Sequence, residues 1–80
     1  MEVLSTAPGL QVYSGNFLDG SVRGKGGVSY EKHGGIALET QSFPNAINTP
    51  AFPSVVLRPG QTYKHTTIWR FSATAVSLVK

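Results

Sequence analysis

Few side chains in this sequence could do proton chemistry: four acidic residues, two histidines and no cysteine. Glu39 stands out among them. It lies inside Ile36-Ala37-Leu38-Glu39-Thr40-Gln41, a run with the two-residue alternation of a β-strand. Ile36, Leu38 and Thr40 share one side; Ala37, Glu39 and Gln41 share the other. With the first side packed into a core, Glu39 stands on the opposite sheet face, in the least polar surroundings of any acidic residue in the chain. Burial there would raise the carboxylate's pKa and make it a usable proton acceptor near neutrality. The same pattern fits an ordinary strand-edge glutamate in water. Gln11, in Leu10-Gln11-Val12-Tyr13, offers two donors and an acceptor for a sugar hydroxyl, although by itself a strand glutamine is more often simply solvated. It would join Glu39 if the two strands lie in one sheet.

Other chemistries find less support. A zinc site needs further ligands at suitable spacing, and His33 and His65 have none, so no metal is expected. His33 sits in a glycine-rich stretch and is expected to be exposed. His65 lies among aromatics and reads as a structural histidine. A Ser-His-Asp triad drawn from Asp19 and the serines lacks the Gly-x-Ser-x-Gly elbow. Arg23-Gly24-Lys25-Gly26-Gly27 fails as a phosphate loop: three residues separate Gly20 from Gly24, and Gly26 follows Lys25 where Ser or Thr is required. Trp69, Tyr13 and Tyr63 could stack on a ring, though core packing is the commoner use of Trp69.

The elements that must position these groups are short strands and turns. Gly and Pro are plentiful, β-branched and aromatic residues are common, and no long helical periodicity is present, which points to an all-β chain. Strands are expected over Glu2 to Thr6, Leu10 to Tyr13, Ile36 to Gln41, Ser54 to Leu57 and Tyr63 to Ser72. Pro8-Gly9 and Pro59-Gly60 provide turns, the second closing a hairpin. On the last strand Tyr63, His65, Thr67, Trp69 and Phe71 share a face, which is the better core candidate. Ser14 to Gly35 reads as a long surface loop with a brief extended piece at Val28-Ser29-Tyr30. Ser42 to Ser54 is a proline-punctuated excursion anchored by Phe43, Ile47 and Phe52. Ala73 to Lys80 extends the last strand or frays.

Eighty residues allow one small domain with a thin core. The net charge of +3 describes an ordinary, slightly basic surface, so no nucleic acid is expected. No apolar run spans a membrane, and Met1-Glu2-Val3-Leu4-Ser5 does not read as a signal peptide. The lack of cysteine fits a reducing compartment, and a cytoplasmic setting is expected.

Several blocks, in order, resemble the C-terminal part of the aldose 1-epimerases. They are Ala7-Pro8-Gly9-Leu10-Gln11-Val12-Tyr13-Ser14-Gly15-Asn16-Phe17-Leu18, then Leu38-Glu39-Thr40-Gln41 with the Pro44 turn, then Asn48-x-Pro50-x-Phe52-Pro53. Arg58-Pro59-Gly60-x-x-Tyr63-x-His65-Thr66-Thr67 completes the set. The similarity runs from about Glu2 to Ser72. It implies part of a galactose mutarotase-like β-sandwich of antiparallel strands, with residues 1–80 forming one partial domain. The implied activity is interconversion of the α and β anomers of aldoses such as galactose and glucose. Glu39 then matches the catalytic base and Gln11 a sugar-binding residue, and no cofactor is needed.

The resemblance also implies that the catalytic histidine acid lies outside this chain, since neither His33 nor His65 matches it. An arginine and an aspartate that bind sugar are missing too, and Asn45 stands where the family commonly has aspartate. The 80 residues alone are therefore expected to be incomplete and inactive, a piece or a truncated product of something longer. A non-catalytic carbohydrate-binding or assembly module of the same fold is the alternative. Exposed strand edges would invite self-association.

Overall fold

The computed structural model describes residues 1–75. Four strands are present: β1 (Glu2–Ser5), β2 (Gly9–Tyr13), β3 (Ala37–Gln41) and β4 (Thr67–Arg70). They form two separate antiparallel pairs, β1 with β4 and β2 with β3, and the described residues contain no α-helix. The all-β, antiparallel reading of the sequence is therefore correct. In the first pair Glu2 faces Arg70, Val3 faces Trp69, Leu4 faces Ile68 and Ser5 faces Thr67. Glu2 and Arg70 form an ion pair at 2.7 Å with both side chains about two-thirds in water, so it contributes at most about 1 kcal/mol.

Thr6 to Pro8 separate β1 from β2, and Gly9, which opens β2, is where the chain approaches Phe43. A Cβ there would lie 3.1 Å from the Phe43 ring. Phe43 in turn packs against Phe52 with ring centroids 5.0 Å apart, so the proline-rich excursion is pinned by these two aromatics. The third expected anchor is not one: Ile47 is 66% exposed, and the small Ala46 beside it is buried instead. Ala46–Asn48 forms a 3-10 turn entered through Asn45 in the left-handed region at φ 61°. Asparagine tolerates that conformation because its short amide bonds locally. Here Asn48 Nδ2 donates to Asn45 Oδ1 at 2.7 Å, and Thr49 Oγ1 donates to the Asn45 carbonyl at 2.9 Å.

The long glycine-rich segment is more regular than a plain loop. Gly20 N–H donates to Tyr30 O at 2.8 Å, Tyr30 N–H to Val22 O at 2.9 Å and Gly24 N–H to Val28 O at 2.9 Å. Arg23 and Ser29 form an antiparallel bridge around a 3-10 turn at Lys25–Gly27, which places the expected extended piece at Val28 to Tyr30. Tyr30 crosses directly over Gly24, so any side chain there would collide with its hydroxyl.

Four expectations about the C-terminal half are corrected. Ser54 to Leu57 is not a strand, and no hairpin forms around Pro59-Gly60. The expected Tyr63 to Ser72 strand shrinks to Thr67–Arg70, whose partner is β1 at the other end of the sequence. The aromatic face is not a core: Tyr63 is 73%, Trp69 40% and Phe71 75% exposed. The physical reason is that a two-stranded pair has nothing stacked upon it, so neither face can be an interior. Ala73 to Ala75 lie in no strand, and residues 76–80 of that expected extension lie outside the described residues.

One local interaction here has a pH signature. The Ser21 hydroxyl and backbone N–H bond the Asp19 carboxylate, the N–H at 3.0 Å from Oδ1, and hold its pKa below the usual aspartate value. A lowered folded-state pKa stabilises the turn above the ordinary aspartate pKa, and that contribution disappears as pH falls through the lowered value. In a 13C carboxylate titration Asp19 should titrate below an unperturbed aspartate. Ser21→Ala should move it part of the way back up, because the backbone donor remains.

Candidate functional site

Glu39 and Gln11 are directly opposite each other. The β2–β3 register pairs Leu10 with Thr40, Gln11 with Glu39, Val12 with Leu38 and Tyr13 with Ala37. Directly opposed residues of an antiparallel pair project to the same face, with Cβ atoms about 4.5–5.5 Å apart. Gln11 and Glu39 therefore share one face with Tyr13 and Gln41, while Leu10, Val12, Leu38 and Thr40 occupy the reverse. The strand forms because Leu38 and Thr40 fit a half-covered pleated surface on that reverse face, which obliges Glu39 to point the other way. The register is also held at Gly9, against which the Phe43 ring seats so closely that a Cβ there would press on it at 3.1 Å.

The burial expected for Glu39 is absent. Both Glu39 and Gln11 are exposed. The cause is that no layer packs on this face beyond the Phe43 ring at its Gly9 end: both sheets are two-stranded, and among described hydrophobic residues only Ala46 is buried. Ile36, assigned by alternation to the core side, lies just outside β3 and is 67% exposed. Tyr13 closes one end of the site. Its ring stacks on Phe17 at 6.2 Å, and its hydroxyl accepts the Phe17 backbone N–H at 3.0 Å. An aromatic face beside a carboxylate and an amide can bind a polyhydroxylated ring, with the apolar ring face on Tyr13 and the hydroxyls on Gln11 and Glu39.

The histidines lie elsewhere. His33 is exposed, adopts φ 62° and places Nε2 2.6 Å from Asn16 Oδ1. His65 is also exposed, stacks against Tyr63 at 6.3 Å and has partners on both ring nitrogens. Those partners are Thr6, Thr40 and Thr67, three residues that the sequence did not mark as a group. A shared strand face put Thr67 beside His65, but Thr6 and Thr40 come from far along the chain. Among the described residues no three of His, Asp and Glu gather as a metal site requires. No helix among them is long and apolar enough to cross a membrane.

The class defined so far is an all-β chain that displays a Gln–Glu pair on an open sheet face. Comparison with known proteins sharpens it. The family model described as aldose 1-epimerase matches residues 1–70. The galactose mutarotases of Bos taurus and Homo sapiens are each 57% identical over 72 residues, covering 90% of this chain and 21% of theirs. The aldose 1-epimerase of Escherichia coli (strain K12) is 41% identical over 75 residues, covering 91% of this chain and 21% of its own length. The chain belongs to the aldose 1-epimerase family, and it spans about a fifth of the length of these relatives.

The cross-strand placement of Gln11 and Glu39 can be tested by charge. Like charges opposite each other on one face destabilise a pair by about 0.2–1 kcal/mol. Gln11→Glu should therefore speed amide exchange across β2 and β3 by about 1.4- to 5-fold, and Gln11→Lys should slow it by a similar factor. Equal exchange in both variants would mean that the two side chains do not share a face.

Proposed function

We propose that this chain is the base-bearing segment of an aldose 1-epimerase, a partial domain whose substrate is a monosaccharide such as galactose or glucose. The observation that carries this reading is the direct opposition of Gln11 and Glu39 within a stretch matched by the family. In the proposed reaction Glu39 accepts the proton of the anomeric hydroxyl, and an acid on polypeptide outside this chain protonates the ring oxygen. The C1–O5 bond breaks to give the open-chain aldehyde, the C1–C2 bond rotates, and the steps reverse to the other anomer. Gln11 holds a sugar hydroxyl so that the anomeric oxygen stays within reach of Glu39. One base and one acid balance every proton transfer, so the chemistry calls for no cofactor. We place the reaction in the cytoplasm, a setting that suits a chain without cysteine.

The same reading explains the open architecture. The Cα radius of gyration is 18.4 Å, against about 12 Å for a compact domain of this size. Surface of this kind is completed by more polypeptide: the rest of a family chain, or, through the unpaired strand edges, a second copy.

Polarimetry on freshly dissolved α-glucose tests the proposal. The 80-residue chain alone should leave the spontaneous rate unchanged. Mixed with a polypeptide supplying the other four-fifths of a galactose mutarotase, it should restore catalysis. Glu39→Gln should then reduce the restored rate by about 10²- to 10⁴-fold, the usual contribution of a positioned base. Full activity in the complemented Glu39→Gln variant would overturn the assignment of the base. Acceleration by the wild-type chain alone would overturn its incompleteness. Galactose contacts in saturation-transfer NMR without turnover after complementation would favour a binding module.

A further inference from the structure

The two sheets are joined by a cluster of hydroxyls around one imidazole. Thr6 follows β1, His65 precedes β4, Thr67 opens β4, and Thr40 lies in β3 next to Glu39. His65 Nδ1 is 3.1 Å from Thr6 Oγ1. His65 Nε2 is 3.1 Å from Thr40 Oγ1 and 3.0 Å from Thr67 Oγ1, and those two hydroxyls are 2.7 Å apart. The ring thus touches the β1–β4 sheet through Thr6 and Thr67, and the β2–β3 sheet through Thr40. Thr40 projects from the face of β3 opposite Glu39, so the contact grips the strand from behind.

The protons of the cluster can be assigned by counting donors and acceptors. Each threonine hydroxyl carries one hydrogen, and a neutral imidazole carries one on a single nitrogen. Thr6 Oγ1 accepts the Thr66 backbone N–H at 3.1 Å and can donate to the Thr66 carbonyl at 3.5 Å. It then has a lone pair left for an N–H of His65. At the other end, a bare Nε2 lets one threonine donate to the second and the second donate to the ring, so every hydrogen finds an acceptor. A hydrogen on Nε2 would leave one of the two threonine protons with no acceptor in the cluster. The arrangement with fewest unmet groups is therefore a neutral ring with its hydrogen on Nδ1.

We infer that His65 is a positioning residue for Glu39: its Nδ1–H imidazole bolts the strand carrying the proposed base to the β1–β4 sheet through Thr40, Thr67 and Thr6. This rests on the reading of Glu39 as the base. His65 itself does not touch the sugar. What it fixes is the placement of β3 against the other sheet, and with it the height and direction from which the Glu39 carboxylate meets the anomeric hydroxyl. Misplacement of a catalytic group by about 1 Å can cost about 10²-fold in rate, so such a bolt has leverage beyond its own stability.

Two measurements separate this from the functional reading. Long-range 1H–15N spectra of the imidazole, on the 80-residue chain and on its complex with the complementing polypeptide, report which ring nitrogen is bare. Nε2 is expected to be bare and Nδ1 protonated, and the double variant Thr40→Val/Thr67→Val should move the hydrogen to Nε2. In the complemented enzyme His65→Leu should lower kcat by about 10- to 100-fold with KM little changed. His65→Gln keeps a donor and an acceptor and should recover most of the loss. A wild-type ring protonated on Nε2, or a His65→Leu enzyme with normal kcat, overturns the inference. If the complemented wild type has no activity, the functional reading falls. The ring spectrum and a Thr40–Thr67 cross-sheet NOE then still decide whether the bolt exists.

Discussion

The register between β2 and β3 is the constraint on which the rest depends. A slip of one residue in a strand pair turns every side chain of one strand to the opposite face. In the observed register Gln11 meets Glu39, and the apolar Leu10, Val12 and Leu38 collect with Thr40 on the reverse. A one-residue slip would set Gln11 against Leu38 or Thr40 and send Glu39 to the side where Thr40 now reaches His65. One contact beyond the paired residues opposes that slip: Phe43, two residues past β3, seats its ring against Gly9 of β2. The glycine thus matters to Glu39 although it does not adjoin it.

The second constraint is the lack of an interior. Two strand pairs of four and five residues cannot enclose a core, and a lone two-stranded pair is marginal in water. Trp69, Phe71, Tyr63 and the Leu4–Ile68 pair remain partly or largely in water. Apolar area on this scale is unusual on the surface of a finished monomer. It becomes intelligible when the chain is compared with relatives of which it spans about a fifth. The strands carry sequence suited to burial, and the polypeptide that would bury them is not among these residues.

Local features were legible in the sequence, and distant ones were not. β1, β2 and β3 lie close to where alternation and the Pro8-Gly9 turn place them. The common face of Gln11 and Glu39 needed that β2 and β3 pair with their apolar sides on the same face. Ser54 to Leu57 misled because a β-branched run followed by Pro59-Gly60 imitates half a hairpin. Its neighbour Tyr63 to Ser72 spends its pairing capacity on β1 instead, a partner at the other end of the sequence that no local pattern names. The exposure of Glu39 escaped for a related reason: alternation says which way a side chain points, never whether anything covers it. Thr6, Thr40 and Thr67 had no signal as a group, since threonine is ordinary in strands and their meeting at His65 depends on both sheets at once.

The two constraints meet at the carboxylate. An exposed glutamate exchanges hydrogen bonds with bulk water, and water competes with a substrate hydroxyl for the same lone pairs. Removing that water is what turns a carboxylate into an effective base. These residues can set the direction of Glu39, through the β2–β3 register in front and the His65 cluster behind. They cannot dehydrate it, because the same two-stranded construction that displays the side chain leaves its face open. Orientation and desolvation are thus divided in the proposed enzyme. The first belongs to this segment, and the second belongs to the polypeptide that closes over it.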